Sequence, residues 1–394
     1  MRLEIDATIA AAEDRRRELD ADRRYLGRYP VIPGNRATLL VDGAQAYPAM
    51  LSAIARAERS ILLESYIFRA DRAGRTFLEA LVERAEAGVE VRVLVDGVGS
   101  GDTPAAFWEP LLAHRGRVAV FRPLEGLFRI GKRFWQRDHR KLLVVDDQVG
   151  FIGGMNIGDD YAPPEWGGEG WHDAHARIEG PATRGLAHLF QRTWRLVDRT
   201  DPGPRVLPGE VQGEVGVQIL EGRLTRRHSV RQAYLHAIRN ARHTIRITNA
   251  YCIPDRAVRR ALRGARRRGV RVQMLLAGRT DLRSVQFAGR YLYRVLMRAG
   301  IELFEWTERV LHAKTAVIDG RWCSIGSYNL ERRSLLHNLE ANVACVDVNL
   351  GAALDAQFDA DLARSRRIDP ETWHRRPAFE KLAEAFFYQL RYLL

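Results

Sequence analysis

The sequence predicts an α/β fold built as two equivalent halves, and three observations predict it. The segment RDHRKLLVVDDQVGFIGGMN (137–156) recurs as RVLHAKTAVIDGRWCSIGSYN (309–329), with His139 aligned on His312, Lys141 on Lys314, Asp146 on Asp319, Gly153 on Gly326 and Asn156 on Asn329. Around each copy, apolar runs of period two alternate with stretches of helical period, in the same order. A chain of 394 residues with 46% hydrophobic content can bury a core for two domains or one large one.

A charged leader occupies residues 1–35. The first repeat, 36–197, opens with a strand (RATLLVD, 36–42) and a helix (QAYPAMLSAIARAERS), then a buried strand (ILLESYIF). In AGRTFLEALVERAEAG, Phe77, Leu78, Leu81, Val82 and Ala85 form one stripe of a helix that Gly88 stops. VEVRVLVDG alternates with period two and reads as a strand ending in a turn. The Pro/Gly-rich stretch 198–214 (RTDPGPRVLPGEVQGE follows Asp198) marks a linker. The second repeat, 215–365, runs the same way: strand GVQIL, helix SVRQAYLHAIRNARH, strand TIRITNAYCIPD, helix RAVRRALRGARRRG stopped by Gly269, and strand VRVQMLLAG. Tyr251 echoes Tyr66, and LYRVLMRAGIELFEW matches WEPLLAHRGRVAVFRP. Alternation of helix and strand implies a sheet core in each half. Residues 366–394 form an amphipathic C-terminal segment.

The formal charge of +13 suits a polyanionic partner, either nucleic acid or an anionic membrane face. Cys252, Cys323 and Cys345 have no paired spacing and no metal-ligand spacing with His, which points to a reducing compartment. The N-terminus lacks an apolar signal core, and no apolar run approaches the ~18 residues of a membrane span. These features predict a soluble or peripheral protein on the cytosolic side. Lysine occurs only at positions 132, 141, 314 and 381 against an arginine background, so the two motif lysines stand out.

In HRKLLVVDD a short β-branched run predicts a strand with alternating faces. His139 and Lys141 then share a face, as do His312 and Lys314. Asp146 and Asp319 fall on the opposite face at a turn, where closing a hairpin fits better than touching substrate. The small residues before Asn156 and Asn329 let a ligand approach the backbone, and each Asn amide can donate to an anionic oxygen. One His, one Lys and one Asn make an incomplete site; two facing halves supply two of each. One neutral and one protonated imidazole make a nucleophile and a general acid. Two ammonium groups and two amides stabilise phosphoryl charge with no metal or other cofactor. A pseudo-twofold axis sets attacker and acid on opposite sides of one phosphorus, so the active site is expected at the interface of the halves.

These residues resemble the phospholipase D superfamily, whose signature is His-x-Lys-x4-Asp-x6-Gly-(Gly/Ser)-x-Asn present twice. More narrowly they are similar to bacterial cardiolipin synthases of the form without N-terminal membrane helices. The matching segments include QAYPAMLSAI, DHRKLLVVDDQVGFIGGMNIGDDY, WHDAHARIEGP, ITNAYCIPD and LHAKTAVIDGRWCSIGSYNLERRSLLHNLEANV, within about residues 38 to 348. The resemblance implies two pseudo-symmetric α/β/α sandwich domains with mixed sheets. It implies a catalytic set of His139, Lys141, Asp146, His312, Lys314 and Asp319, with Asn156 and Asn329 on phosphate. It also implies ping-pong transfer of a phosphatidyl group through a phosphohistidine to the free hydroxyl of phosphatidylglycerol, with glycerol released. Asp173 (in WHDAH) and Glu340 (in HNLEANV) would each orient the His of the other half. Both motifs are intact, so either His can be the nucleophile; family precedent favours His139. The donor is left open between phosphatidylglycerol and phosphatidylethanolamine.

Three segments are candidates for contact with the cytoplasmic face of an anionic inner membrane. RPLEGLFRIGKRFWQR (122–137) reads as either an interfacial or a packed loop. Helix 256–268, rich in Arg where its first-half counterpart carries Glu79, Glu83 and Glu86, reads as either a lipid-facing or a solvated face. AFEKLAEAFFYQLRYLL either docks on a membrane or packs on the body. The rival readings are a nuclease or plain phospholipase of the same superfamily, and a scaffold with a degenerate site. No stacking nucleic-acid module is visible, so no nucleic acid is expected. The intact His, Lys and Asn pairs speak against the scaffold.

Overall fold

Two hairpins organise the molecule. At each hairpin tip two successive residues take positive φ: Asp146 (54°) and Asp147 (58°), then Asp319 (54°) and Gly320 (62°). They form the centre of a tight turn, closed by N–H bonds from Gln148 to Val145 (3.0 Å) and from Arg321 to Ile318 (3.1 Å) within a three-residue connection, and Asp and Gly are residues that tolerate positive φ. The computed structural model describes residues 24–123, 136–222 and 229–392. Most of the leader and most of the 122–137 stretch lie outside the described residues.

The first half contributes β1 (Ile32–Val41), β2 (Ser60–Ser65), β3 (Glu90–Asp96), β4 (Arg117–Phe121), β5 (Leu142–Val145), β6 (Val149–Gly153) and β7 (Ala174–Glu179). The second contributes β8 (Val215–Gly222), β9 (Thr244–Asn249), β10 (Arg271–Ala277), β11 (Glu302–Trp306), β12 (Lys314–Ile318), β13 (Trp322–Gly326), β14 (Glu340–Val346) and the edge strand β15 (Ser365–Arg367). The first half is ordered β4-β3-β2-β5-β6-β7-β1 and the second β11-β10-β9-β12-β13-β14-β8, so the halves are topological copies. In each, the two outer pairings (β2–β3–β4 and β9–β10–β11) are parallel and the rest antiparallel, giving the mixed sheet.

The expected pair of sandwiches is fused more closely than the sequence suggests. β1 pairs with β8 antiparallel, which joins both sheets into one of fifteen strands. The register shifts between Ile32 and Asn35, and buried Asn35 secures the irregularity. Its amide donates to the carbonyls of Ile32 (2.7 Å) and Val215 (3.1 Å) and accepts from the N–H of Ala182 (2.7 Å). One core layer crosses the seam: Leu142, Ile152 and Ile178 pack in the same cluster as Val317, Ile325 and Val343. Helices Thr183–Val197 and Val348–Ala363 cover it through Leu186, Phe190, Leu350 and Leu354. On the outer face, helices Asp42–Ala55 and Arg72–Glu86 close the first half, the latter through the expected Phe77, Leu78, Leu81 and Ala85. The linker 198–214 is tied back to the first half, since Asp201 pairs with Arg92 (2.9 Å) and Arg117 (2.8 Å). A shared core and sheet fix the two motif segments relative to each other, which a two-sided site requires.

Candidate active site

The strands carrying the motifs start later than the sequence reading. β5 begins at Leu142 and β12 at Lys314, so both histidines sit in extended segments just before a strand. Those segments pair with the opposite half. The N–H of His139 donates to the carbonyl of Leu339 (3.0 Å), and that of Leu339 donates to Arg137 (2.8 Å). By the same rule the N–H of His312 donates to His172 (2.7 Å), and that of His172 to Val310 (2.8 Å). The residue after Leu339 is Glu340 and the residue after His172 is Asp173. Backbone pairing across the seam therefore delivers each carboxylate to the other half's imidazole.

Glu340 lies 3.1 Å from His139 Nδ1, and Asp173 lies 2.7 Å from His312 Nδ1. All four groups are buried. Burial pushes the His139 imidazole down to about 4, against the opposing pull of Glu340 and with Lys141 assisting. Burial and then Lys314 also lower His312, against Asp173. Both shifts favour the neutral ring. A neutral ring that donates Nδ1–H to a carboxylate presents the Nε2 lone pair to the cleft. Burial would raise Asp173, but Lys314 and His312 outweigh it and hold it at about 2. Glu340 is held down in the same way by His139 and Lys141.

Each lysine folds back on its own motif. Lys141 Nζ donates to the carbonyl of His139 (2.7 Å), and Lys314 Nζ donates to that of His312. Their ammonium groups stand 5.1 Å from the Tyr66 ring and 6.0 Å from the Tyr251 ring. Burial lowers Lys141 to about 7 and Lys314 to about 8. Asn156 accepts from the N–H of Ile67 (3.0 Å) and donates to Tyr161 Oη (2.7 Å); Asn329 accepts from the N–H of Tyr251 (3.3 Å). Both histidines and both asparagines line one cleft of about 430 Å³.

Asp146 and Asp319, which the resemblance places in the catalytic set, do not reach this cleft. Asp146 accepts backbone N–H groups from Glu58, Arg59 and Ser60, each at 2.8 Å. Asp319 accepts those of Arg242 (2.8 Å), His243 (2.7 Å) and Thr244 (2.8 Å). Each pins its hairpin to the start of the neighbouring strand, the turn role that its position in the motif suggests.

Several contributors escape motif reasoning. Tyr66, Tyr161 and Tyr251 ring the two histidines at 5.0 to 6.0 Å between centroids. His172 bridges Asp42 (2.8 Å) and Asp361 (3.0 Å) and stacks on Trp306. Burial disfavours its charge, but the two carboxylates prevail and raise it to about 10, so a cation anchors the segment that presents Asp173. The Gly154/Ser327 difference between the motifs also has a cause. A Cβ on Gly154 would lie 2.2 Å from Asp173 Oδ1, whereas Ser327 Oγ donates to Glu340, which is one methylene longer than Asp173. Gly154→Ser should push Asp173 off His312 and lower kcat by about 10²-fold, the usual cost of a misplacement near 1 Å. A steady-state assay in which G154S keeps wild-type kcat would refute this link.

The family model described as "Cardiolipin synthase, PLD-like domain" matches residues 50–194 and again 234–362. A cardiolipin synthase of Geobacillus kaustophilus is 32% identical over 367 residues, covering 91% of this chain and 72% of its own. Cardiolipin synthase B of Escherichia coli K12 is 34% identical over 349 residues, covering 86% and 83%. A solved structure of phosphatidylserine synthase from Haemophilus influenzae superposes with a TM-score of 0.75 over 94% of this chain and 99% of that one, at 13% identity, which speaks to the fold.

Proposed function

Because the chain belongs to the phospholipase D-like family that the cardiolipin synthase model describes, we propose that it transfers a phosphatidyl group by a ping-pong route through a phosphohistidine. The family makes the chain a phosphatidyltransferase. The observation that carries the proposed route is the pair of buried, carboxylate-backed imidazoles lining one cleft. His139, whose ring burial drives down to about 4, is the nucleophile: its Nε2 lone pair attacks the phosphorus of a phosphatidylglycerol. His312 has the closer carboxylate, which stabilises its charged form, so it is the acid. With the anionic phosphodiester bound and Asp173 on Nδ1, His312 takes up a proton from solvent at Nε2, and this Nε2–H protonates the departing glycerol oxygen as the P–O bond breaks. The then neutral His312 removes the proton from the headgroup hydroxyl of a second phosphatidylglycerol. That oxygen attacks phosphorus, the P–N bond to His139 breaks, and cardiolipin leaves. Lys141, Lys314, Asn156 and Asn329 hold the phosphoryl oxygens, where fixed donors stabilise developing charge.

The lysines predict the pH response. An ammonium holds phosphate only while charged, and the charge is present below its pKa and lost above it. With Lys141 at about 7 and Lys314 at about 8 in the free protein, kcat/KM should fall as pH rises through that window. A kcat/KM that climbs steadily to about pH 9 would count against the clamp.

The substrate sits in a membrane, and no described helix is long and apolar enough to cross one. Contact is therefore assigned to the surface. On the C-terminal helix Ala378–Gln389, Phe387 and Tyr388 pack against Phe287 and Tyr291, while Phe379, Leu382 and Phe386 stay 60% or more exposed. That apolar face, on a chain of charge +13, suits peripheral binding to the anionic cytoplasmic leaflet. Purified protein given labelled phosphatidylglycerol in mixed micelles should yield cardiolipin and glycerol in equal amounts. Phosphatidic acid as the sole lipid product, or nucleic-acid cleavage without lipid turnover, would overturn the proposal.

A further inference from the structure

A second cleft, of about 720 Å³, lies beside the catalytic one, and Glu331 lines both. Its walls come from the start of helix Arg256–Arg267, the short helix Arg332–Leu336 and the end of the C-terminal helix. Arg256, Arg259, Arg260, Arg332 and Arg391 line it. Among the described residues, no carboxylate forms an ion pair with any of the five.

The two acids of the cleft are already committed. Asp255 pairs with Arg231 (2.6 Å) and caps the helix by accepting from the N–H groups of Ala257 (2.6 Å) and Val258 (3.1 Å). Glu331 accepts from the N–H of Ser334 (2.6 Å) and from that of Arg333. Two of the guanidinium groups are held in place by aromatic faces: Arg332 lies 4.0 Å over Tyr392, and Arg391 lies 4.1 Å over Tyr388. Arg391 spends N–H groups on the carbonyl of Tyr388 (2.6 Å) and on Tyr392 Oη (3.1 Å), whereas stacking leaves the edge of Arg332 in the fork geometry that matches a phosphate.

The other half shows that the fold does not require this charge. Three residues beyond the motif asparagine, the first copy has Asp159 where the second has Arg332. Asp159 accepts from the N–H groups of Ala73 (2.8 Å) and Arg72 (3.4 Å) at the start of helix Arg72–Glu86. At the matching place the second half leaves a concave, uncompensated basic wall. The helix that closes this wall carries the exposed Phe379, Leu382 and Phe386. Mutual repulsion among the arginines would be relieved by an anion bound between them.

We propose that this cleft binds the phosphate of an anionic headgroup, at a site separate from the paired histidines. The test titrates the full chain by calorimetry with inorganic phosphate, with a short-chain phosphatidylglycerol and with a short-chain phosphatidylcholine. Wild type is compared with Arg256→Gln/Arg260→Gln and, independently, with Arg332→Gln; melting curves report whether each variant is folded. One binding event should weaken about thirtyfold in the double variant, roughly fivefold for each basic residue removed. Weakening for both phosphate and phosphatidylglycerol assigns the site to phosphate itself; weakening for the lipid alone assigns it to the intact headgroup. The proposal is overturned if both folded variants bind phosphatidylglycerol as wild type does, or if phosphatidylcholine binding falls by the same factor. The readout is binding, so it stands whether or not the catalytic reading survives.

Discussion

His139→Ala is expected to abolish transfer, with kcat lower by between about 10⁴- and 10⁶-fold, the range seen when a covalent nucleophile is removed. His312→Ala should also be severely impaired, by about 10²- to 10⁴-fold, because it loses the general acid. The two losses differ in kind. A substrate whose leaving group is already acidic, such as a p-nitrophenyl phosphodiester, needs no proton at the first step. It should restore a burst of p-nitrophenol to His312→Ala and leave His139→Ala silent. The assignment rests on geometry and charge: burial drives the His139 ring down to about 4, and His312 has the closer carboxylate. A burst from His139→Ala and none from His312→Ala would exchange the roles.

The second large effect concerns the crossed carboxylates. Asp173→Asn should lower kcat by about 10²- to 10⁴-fold, since an amide favours the wrong tautomer and cannot support the imidazolium. Asp173 belongs to the first half, yet it touches His312 of the second. The substitution should therefore mimic loss of His312: little effect on the burst with the p-nitrophenyl substrate, and no further loss in an Asp173→Asn/His312→Ala double variant. Residues that act through one another are non-additive in this way. Full additivity of the two substitutions would mean that Asp173 acts elsewhere. Glu340→Gln should instead weaken the burst itself, because it sits on His139.

Much of this arrangement is legible in the sequence, and the parts that are not share a cause. Repetition with fixed offsets reveals the duplicated sheet, because each half must build the same hairpin to place its His, Lys and Asn. The turn role of Asp146 and Asp319 follows from side-chain alternation together with the turn sequences DDQ and IDG. The seam is hidden: β1 and β8 are ordinary alternating strands, and nothing local says that they pair with each other across about 180 residues. The tyrosines around the histidines are hidden for the same reason, apart from the echo of Tyr66 in Tyr251. The Gly154/Ser327 exchange looks like tolerated variation until Asp173 and Glu340 are seen pressed against the two positions. Long-range packing, rather than local pattern, carries that information. The Arg-rich start of helix Arg256–Arg267 is legible as charge, but only the fold places it against the C-terminal helix.

Two imidazoles acting in turn on one phosphorus is the central claim, and stereochemistry at that phosphorus tests it most directly. Phosphatidyl transfer from a donor made chiral at phosphorus, followed by configurational analysis of the product, should show overall retention, because two in-line displacements each invert the centre. Overall inversion would mean a single direct displacement, with no phosphohistidine between donor and acceptor.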